Sequence, residues 1–221
     1  MEKILKNKNI IVTAGSTWVP IDKVRIITNI FGGTLGYIIA KTAWQMGAKV
    51  TLLMGPGRID LKQPVKAVKG FRIIRFKYFD EILKLIKREV FSKKYNVIVH
   101  SAAIADYAPV FLEKGKIKSG EENLVIKLKP TVKIIDLIKK IDPAIFLVKF
   151  KLEVGLTKKQ LIDVAYKSMI FSKADLVVAN DFKNISTEHI AFIIDNNKNI
   201  IECKGKEIIA QKLLRKIAEL L

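Results

Sequence analysis

Apolar residues in this chain occur in short runs separated by stretches with helical spacing. Asn9-Ile10-Ile11-Val12-Thr13-Ala14 is apolar and β-branched and stops at Gly15, the pattern of a strand buried on both faces. Gly33 to Gly47 has helical periodicity, with Leu35, Ile38, Ile39 and Met46 near one face and Gly47 as a C-terminal stop. Lys49 to Leu53, Phe71 to Phe76 and Asn96 to Ser101 predict three more strands, with an amphipathic helix over Asp80 to Arg88. Ala102 to Gly120 has charges, Pro109 and little periodicity, and predicts a long functional loop. Asn123 to Lys129 alternates apolar and polar residues like a half-exposed strand. Thr131 to Ile141 predicts a short helix with Thr131 as N-cap. Ala144 to Phe150 and Asp175 to Ala179 are two further buried strands around a helix from Thr157 to Phe171. His189 to Ile194 and Asn199 to Cys203 flank Asn196-Asn197 as a hairpin, and Glu207 to Leu221 ends the chain as a helix.

Alternation of strand and helix predicts one α/β domain, residues 1–221. Its fold is Rossmann-like and doubly wound, a mostly parallel sheet with a C-terminal antiparallel hairpin extension. Ligands in such folds bind at the carboxyl ends of the strands, which directs attention to the loops after Ala14, Ser101, Phe150 and Ala179. No apolar run is long enough to span a membrane, and the start is too polar for a signal peptide. A single cysteine, Cys203, excludes a disulfide framework within one chain and makes a cytoplasmic location the expectation. The formal net charge of +19 attracts anions: nucleic acid, membrane surfaces or phosphorylated small molecules. The lysines are spread along the whole chain, without a dense basic block interleaved with aromatics, so no nucleic-acid or membrane partner is expected.

The loop from Gly15 to Gly36 follows a strand and enters a helix, where free N–H groups and Gly32, Gly33 and Gly36 suit a phosphate. It is neither a dinucleotide fingerprint nor a Walker loop, and an ordinary glycine-rich turn would look the same. Small residues after Ser101 allow a ligand to touch the main chain. Asp106 could accept hydrogen bonds or hold a metal, or only cap a loop; Lys116 and Lys118 could reach a phosphate or only solvate a face.

Pro20-Ile21-Asp22-Lys23-Val24-Arg25-Ile26-Ile27-Thr28-Asn29 resembles, almost residue for residue, a segment of the phosphopantothenate–cysteine ligase family. Four further segments in the same order are similar to that family. They are Ser101 to Pro109 with Lys116-Ile117-Lys118 downstream, Leu128 to Asp136, Phe150-Lys151-Leu152-Glu153, and Ala174 to Asp181. The resemblance implies that Asn29 handles an acyl-nucleotide intermediate with the support of Arg25, and that Lys116 reaches the triphosphate from a flap. It implies nucleotide contacts at Gly15, Ser16, Thr17, Gly32, Gly33, Ala102 and Asp106. It also implies a base read by the main chain of Val132, Lys133, Ile134 and Ile135, and a Phe150 packed nearby. Phosphate-binding lysines are implied in the helix before Asp175, with Lys167 and Lys173 as candidates. Phosphopantothenate would meet Asn29, Ala102, Ala103 and Asp106. Phe31-Gly32-Gly33 departs from the family's serine-bearing turn, which leaves a catalytically altered member open.

The implied reaction joins phosphopantothenate to cysteine in coenzyme A biosynthesis. CTP or ATP is the co-substrate, Mg²⁺ is expected with metal ligands unassigned, and no flavin is expected. A homodimer and a separate decarboxylase are the implied partners. Two histidines and one cysteine fit a chemistry without a Ser-His-Asp or Cys-His set. The rival reading, a short-chain-type NAD(P)-dependent oxidoreductase, needs a Gly-x-x-x-Gly-x-Gly loop after the first strand, which is missing, and a Tyr-x-x-x-Lys pair, which has no match on a helix after a suitable strand.

Overall fold

The computed structural model describes residues 2–57, 68–120, 122–185 and 188–221. Strands β1 (Asn9–Ala14), β4 (Lys49–Met54), β5 (Phe71–Arg75), β6 (Val97–His100), β9 (Phe146–Glu153) and β10 (Leu176–Asp181) run parallel. With β11 (Ile190–Asp195) and β12 (Ile200–Lys204) added antiparallel at one edge, they form an eight-stranded sheet in the order β5-β4-β1-β6-β9-β10-β11-β12. This is the expected doubly wound α/β architecture with its hairpin extension. Two short ladders stand apart from it: β2 (Trp18–Pro20) with β3 (Ile26–Thr28), and β7 (Tyr107–Pro109) with β8 (Leu128–Pro130).

Successive side chains of a strand point to opposite faces, so each central strand supplies two cores. Ile10, Val12, Val50, Leu52, Val97 and Val99 pack under α1 (Thr34–Gln45) and α6 (Lys206–Leu220). Ile11, Ile98, Leu147 and Val177 pack under α2 (Phe79–Phe91), α3 (Ile134–Ile141) and α4 (Lys158–Phe171). Each fully buried aliphatic side chain contributes roughly 1.5–3 kcal/mol, which is why these strands read as unbroken apolar runs. A short helix, α5 (Phe182–Ile185), follows β10.

Most sequence expectations hold within a few residues, and the exceptions have identifiable causes. Thr131 is not the N-cap of α3. That position is Lys133, without a side-chain cap, and the Thr131 hydroxyl instead donates to the Ala105 carbonyl at 2.7 Å. The strand expected over 123–129 shrinks to Leu128–Pro130, because its partner among the described residues is the three-residue β7, which itself lies inside the expected loop. In the β11–β12 turn the left-handed residue is Lys198, not an asparagine. Asp195 organises that turn by accepting from the N–H groups of Asn197 and Asn199.

Candidate active site

β1 and β6 are neighbours, but their onward connections go to opposite faces: β1 leads to α1, and β6 leads through β7 and β8 to α3. A crevice opens at the carboxyl edge where connections diverge this way. The β1–α1 connection is not the tight turn of a dinucleotide fingerprint. It runs from Gly15 to Gly33 through the β2–β3 ladder and returns to its starting point. There Gly33 lies at φ 77°, and a Cβ on it would sit 2.4 Å from the Gly15 nitrogen. Only glycine tolerates both that dihedral and that approach.

Hydrogen bonds lock this loop to the end of β6. The Ala103 N–H donates to the Gly15 carbonyl at 2.9 Å, and the Thr17 N–H donates to the Ala103 carbonyl at 3.3 Å. Ser16 is buried, and its hydroxyl meets the carbonyls of Asn29 at 3.0 Å and Phe31 at 2.6 Å. Thr17, also buried, accepts from the Ala105 N–H at 2.8 Å. Gly15, Ser16 and Thr17 are thus the packed frame of the loop rather than its open face. Asn29 is exposed above them, and its amide donates to the carbonyls of Ala103 at 3.1 Å and Ile104 at 3.4 Å. This brings together Asn29, Ala102, Ala103, Gly32 and Gly33. Next to them, α1 begins with no side-chain cap and no acidic residue in its first turn, leaving N–H groups at the crevice for an anion.

The far wall carries Asp106 and Lys133, an exposed ion pair at 2.5 Å. Val132 is half exposed beside them, whereas the side chains of Ile134 and Ile135 belong to the α2–α4 core, so only their main chain is available to a ligand. Phe150 is half-buried on the opposite face, against the α1–α6 core. Lys116 is exposed on the strap after β7. The Arg25 guanidinium is engaged elsewhere than at Asn29: it pairs with the Asp22 carboxylate at 2.8 Å and reaches the Ile117 carbonyl at 3.3 Å. Lys167 and Lys173 lie outside the crevice. A helix between parallel strands runs back against them, so the end of α4 and the start of β10 sit at the amino edge, where the Asp175 N–H meets the Leu147 carbonyl.

A buried polar group under the crevice escaped the sequence reading. The Thr13 hydroxyl accepts from the Ala102 N–H at 3.1 Å and lies 3.0 Å from His100 Nδ1. The hydroxyl has a second lone pair as well as a proton, so the direction of its bond to Nδ1 follows the His100 tautomer. Burial, aided by the charge of Lys149, pushes His100 down to about 4. Lys149 is itself pushed down to about 8, chiefly by burial, and donates to the Ser168 carbonyl and to the hydroxyls of Ser168 and Ser172. Cys203 is buried, and burial pushes its thiol up, away from nucleophilic use.

Residues 5–221 match the DNA/pantothenate metabolism flavoprotein C-terminal domain family. The chain belongs to this family. It is 37% identical, over 99% of its length, to the coenzyme A biosynthesis bifunctional protein CoaBC of Thermococcus kodakarensis, and covers 53% of that relative. The chain therefore spans about half the length of the curated relative it matches. Among solved structures it is similar to the DNA/pantothenate metabolism flavoprotein of Streptococcus pneumoniae, at 34% identity and a TM-score of 0.86, covering 97% of this chain and 99% of that one. It is also similar to a crystallised C-terminal domain of CoaBC, at 26% identity and a TM-score of 0.80, covering 99% and 98% respectively. Family membership agrees with the resemblance carried by the five ordered segments. Among the described residues there is no cluster of three or more His, Cys, Asp or Glu side chains that could hold a resident metal. No helix among them is long and apolar enough to cross a membrane.

Proposed function

We propose that this chain ligates phosphopantothenate to cysteine through an acyl-nucleotide intermediate, with CTP or ATP as the activating co-substrate. The observation that carries the reading is the bond from Asn29 to the Ala103 and Ile104 carbonyls. It joins the two segments of greatest family resemblance across the crevice between β1 and β6.

In the first step a substrate carboxylate oxygen attacks the α-phosphorus of the nucleotide, and pyrophosphate leaves with the electrons of the broken P–O bond. In the second, the cysteine amine attacks the acyl carbon, and the nucleoside monophosphate departs with the C–O bonding pair. An acyl group so activated needs little acid–base help; it needs charge neutralisation and exclusion of water. The uncapped N-terminus of α1 and the glycine main chain at Gly32 and Gly33 supply N–H donors, and Lys116 supplies positive charge at the mouth. The N-terminal main chain of α3, at Val132 to Ile135, faces the base, and Lys133 is held by Asp106. Asn29 lies where it can orient the acyl-nucleotide for attack by the amine. Mg²⁺ fits as a companion of the triphosphate, the usual mode for this ion, and Asp106 is the one carboxylate assigned to the crevice.

The test combines the chain with phosphopantothenate, cysteine, Mg²⁺ and either nucleotide, and follows pyrophosphate release and product mass. Release that requires phosphopantothenate, with amide formed on adding cysteine, is expected. No release with either nucleotide refutes the reading, and the preferred nucleotide is read from the same assay.

A further inference from the structure

The first loop and the strap after β7 meet at one buried carboxylate. The Asp22 side chain has no exposed surface. Its Oδ1 accepts from the N–H groups of Val24 and Arg25, each at 2.7 Å. Its Oδ2 accepts from Arg25 Nη1 at 2.8 Å and from the Ile117 N–H at 3.0 Å. Arg25 closes the ring, with Nη1 and Nη2 each 3.3 Å from the Ile117 carbonyl oxygen. Two backbone bonds run alongside: Glu113 N–H to the Ile21 carbonyl at 3.3 Å, and Lys23 N–H to the Gly115 carbonyl at 3.2 Å.

A residue that only capped the turn at 22–25 would need Oδ1 alone. Asp22 directs its second oxygen to a partner 95 positions away. Ile117 is gripped through both its N–H and its carbonyl, while residues 111–116 and 118–120 around it are exposed. The chain neighbours of this anchor are Lys116 and Lys118, two of the three cations of the 111–120 stretch. Apart from the Glu113 and Gly115 backbone bonds, this anchor is what ties the backbone from which those two lysines project to the first loop. A cation stabilises a phosphoryl group only if its position is preorganised, so an anchor of this kind acts on the nucleotide step.

We propose that Asp22 is a positioning residue: with Arg25 it holds Lys116 and Lys118 at the crevice mouth through Ile117, so that their charge meets the nucleotide phosphates. This rests on the ligation reading and adds to it a residue that touches no reactant. Asp22→Asn replaces one oxygen by an NH₂ group, which opposes N–H donors whichever way the amide turns. Arg25→Gln removes the guanidinium grip on Ile117 while leaving the Asp22 turn in place, and serves if Asp22→Asn fails to fold.

The experiment pairs amide exchange with kinetics. In either variant the Ile117 amide is expected to exchange at least about tenfold faster, with the amides of β1 and β6 unchanged. The nucleotide KM is expected to rise about tenfold while the cysteine KM moves less than about twofold, a split that general loosening would not produce. Adding Lys116→Gln to Asp22→Asn is expected to cost little more, because both remove the same contact. Unchanged exchange at Ile117, or fully additive losses in the double variant, overturns the proposal. A wild-type chain without pyrophosphate release sinks the ligation reading and the catalytic half of this one; Ile117 exchange then still decides whether Asp22 holds the strap.

Discussion

Asn29 shows how far a single residue can be read. The family resemblance of its segment implies a reactive role, and the structure sets it on the exposed side of the loop, amide pointed at the Ala103 and Ile104 carbonyls. Asn29→Asp would put a carboxylate oxygen against those carbonyls and add negative charge where phosphate is expected. We predict an unchanged fold and turnover slowed by at least about two orders of magnitude, roughly 3 kcal/mol of transition-state stabilisation. If Asn29 serves the second half-reaction, quenched mixtures will contain acyl-nucleotide. Wild-type turnover in the folded variant would remove Asn29 from the mechanism. The placement of Asn29 and Gly33 in the loop after β1 is legible in the sequence because it is local: a segment pattern, or a glycine before a helix. Asp22, Thr13 and Lys149 were not, because their partners lie far off in the chain, and a carboxylate or hydroxyl carries no mark of which distant N–H it will meet. Ser16 and Thr17 look like phosphate ligands for the same reason in reverse. Their hydroxyls are available in the sequence and committed in the fold.

At the scale of elements, α2 carries a buried charge that periodicity does not reveal. Glu89 is 3% exposed and faces the apolar packing, yet it bonds Tyr95 at 2.6 Å, Arg72 at 2.7 Å, Arg88 at 2.8 Å and Lys94 at 3.1 Å. Burial alone would raise its carboxyl; the hydrogen bonds from Tyr95, Arg88 and Lys94 and the charge of Arg72 outweigh that and hold it at about 2. A folded value below the unfolded one stabilises above the unfolded value and is lost as pH falls toward the folded one. Wild type should therefore exceed Glu89→Gln by roughly 2–3 kcal/mol near neutral pH, a gap that closes between about pH 4.5 and 2. Denaturant titrations of both proteins across that range check it, and a gap that ignores pH would show that the carboxylate's charge contributes nothing. Sheet strands and long helices were legible because burial on one or two faces imposes a period. The β2–β3 and β7–β8 ladders were not: three-residue strands have no period, and their pairing is dictated by the loop contacts around Ala103 and Thr131. The cap of α3 failed for a related reason, since Thr131 had a better acceptor in the Ala105 carbonyl.

Over the whole molecule, topology decides which of the many lysines face the crevice. Lys116 and Lys133 lie at the carboxyl edge, while Lys167 and Lys173 lie at the amino edge, a separation that depends on which way α4 runs and not on spacing in the sequence. The excursion between β6 and α3 also carries apolar side chains that water does not favour: Phe111 is 79% exposed and Val125 80%. We expect a second copy of the chain to cover them, as the family resemblance implies, and sedimentation should show a homodimer that Val125→Asp weakens; a monomer at tens of micromolar would count against it. The charge follows the same geometry. A net +19 spread over both edges and both faces gives weak attraction to any polyanion, but a concave site with helix N-termini and lysines at its rim focuses the field on small phosphorylated ligands. A surface that read nucleic acid would need a basic stripe with stacking aromatics. Here Phe31 is turned edge-on to Phe182 and Trp18 edge-on to Tyr78, so these rings are engaged within the fold. CTP or ATP with Mg²⁺ should therefore raise the melting temperature in proportion to the logarithm of ligand excess. Duplex DNA or RNA should bind weakly and release near physiological salt, because its grip here would be counterion release alone. Salt-resistant nucleic-acid binding together with no thermal protection by either nucleotide would mean that the positive excess serves a different ligand from the one the crevice is shaped to hold.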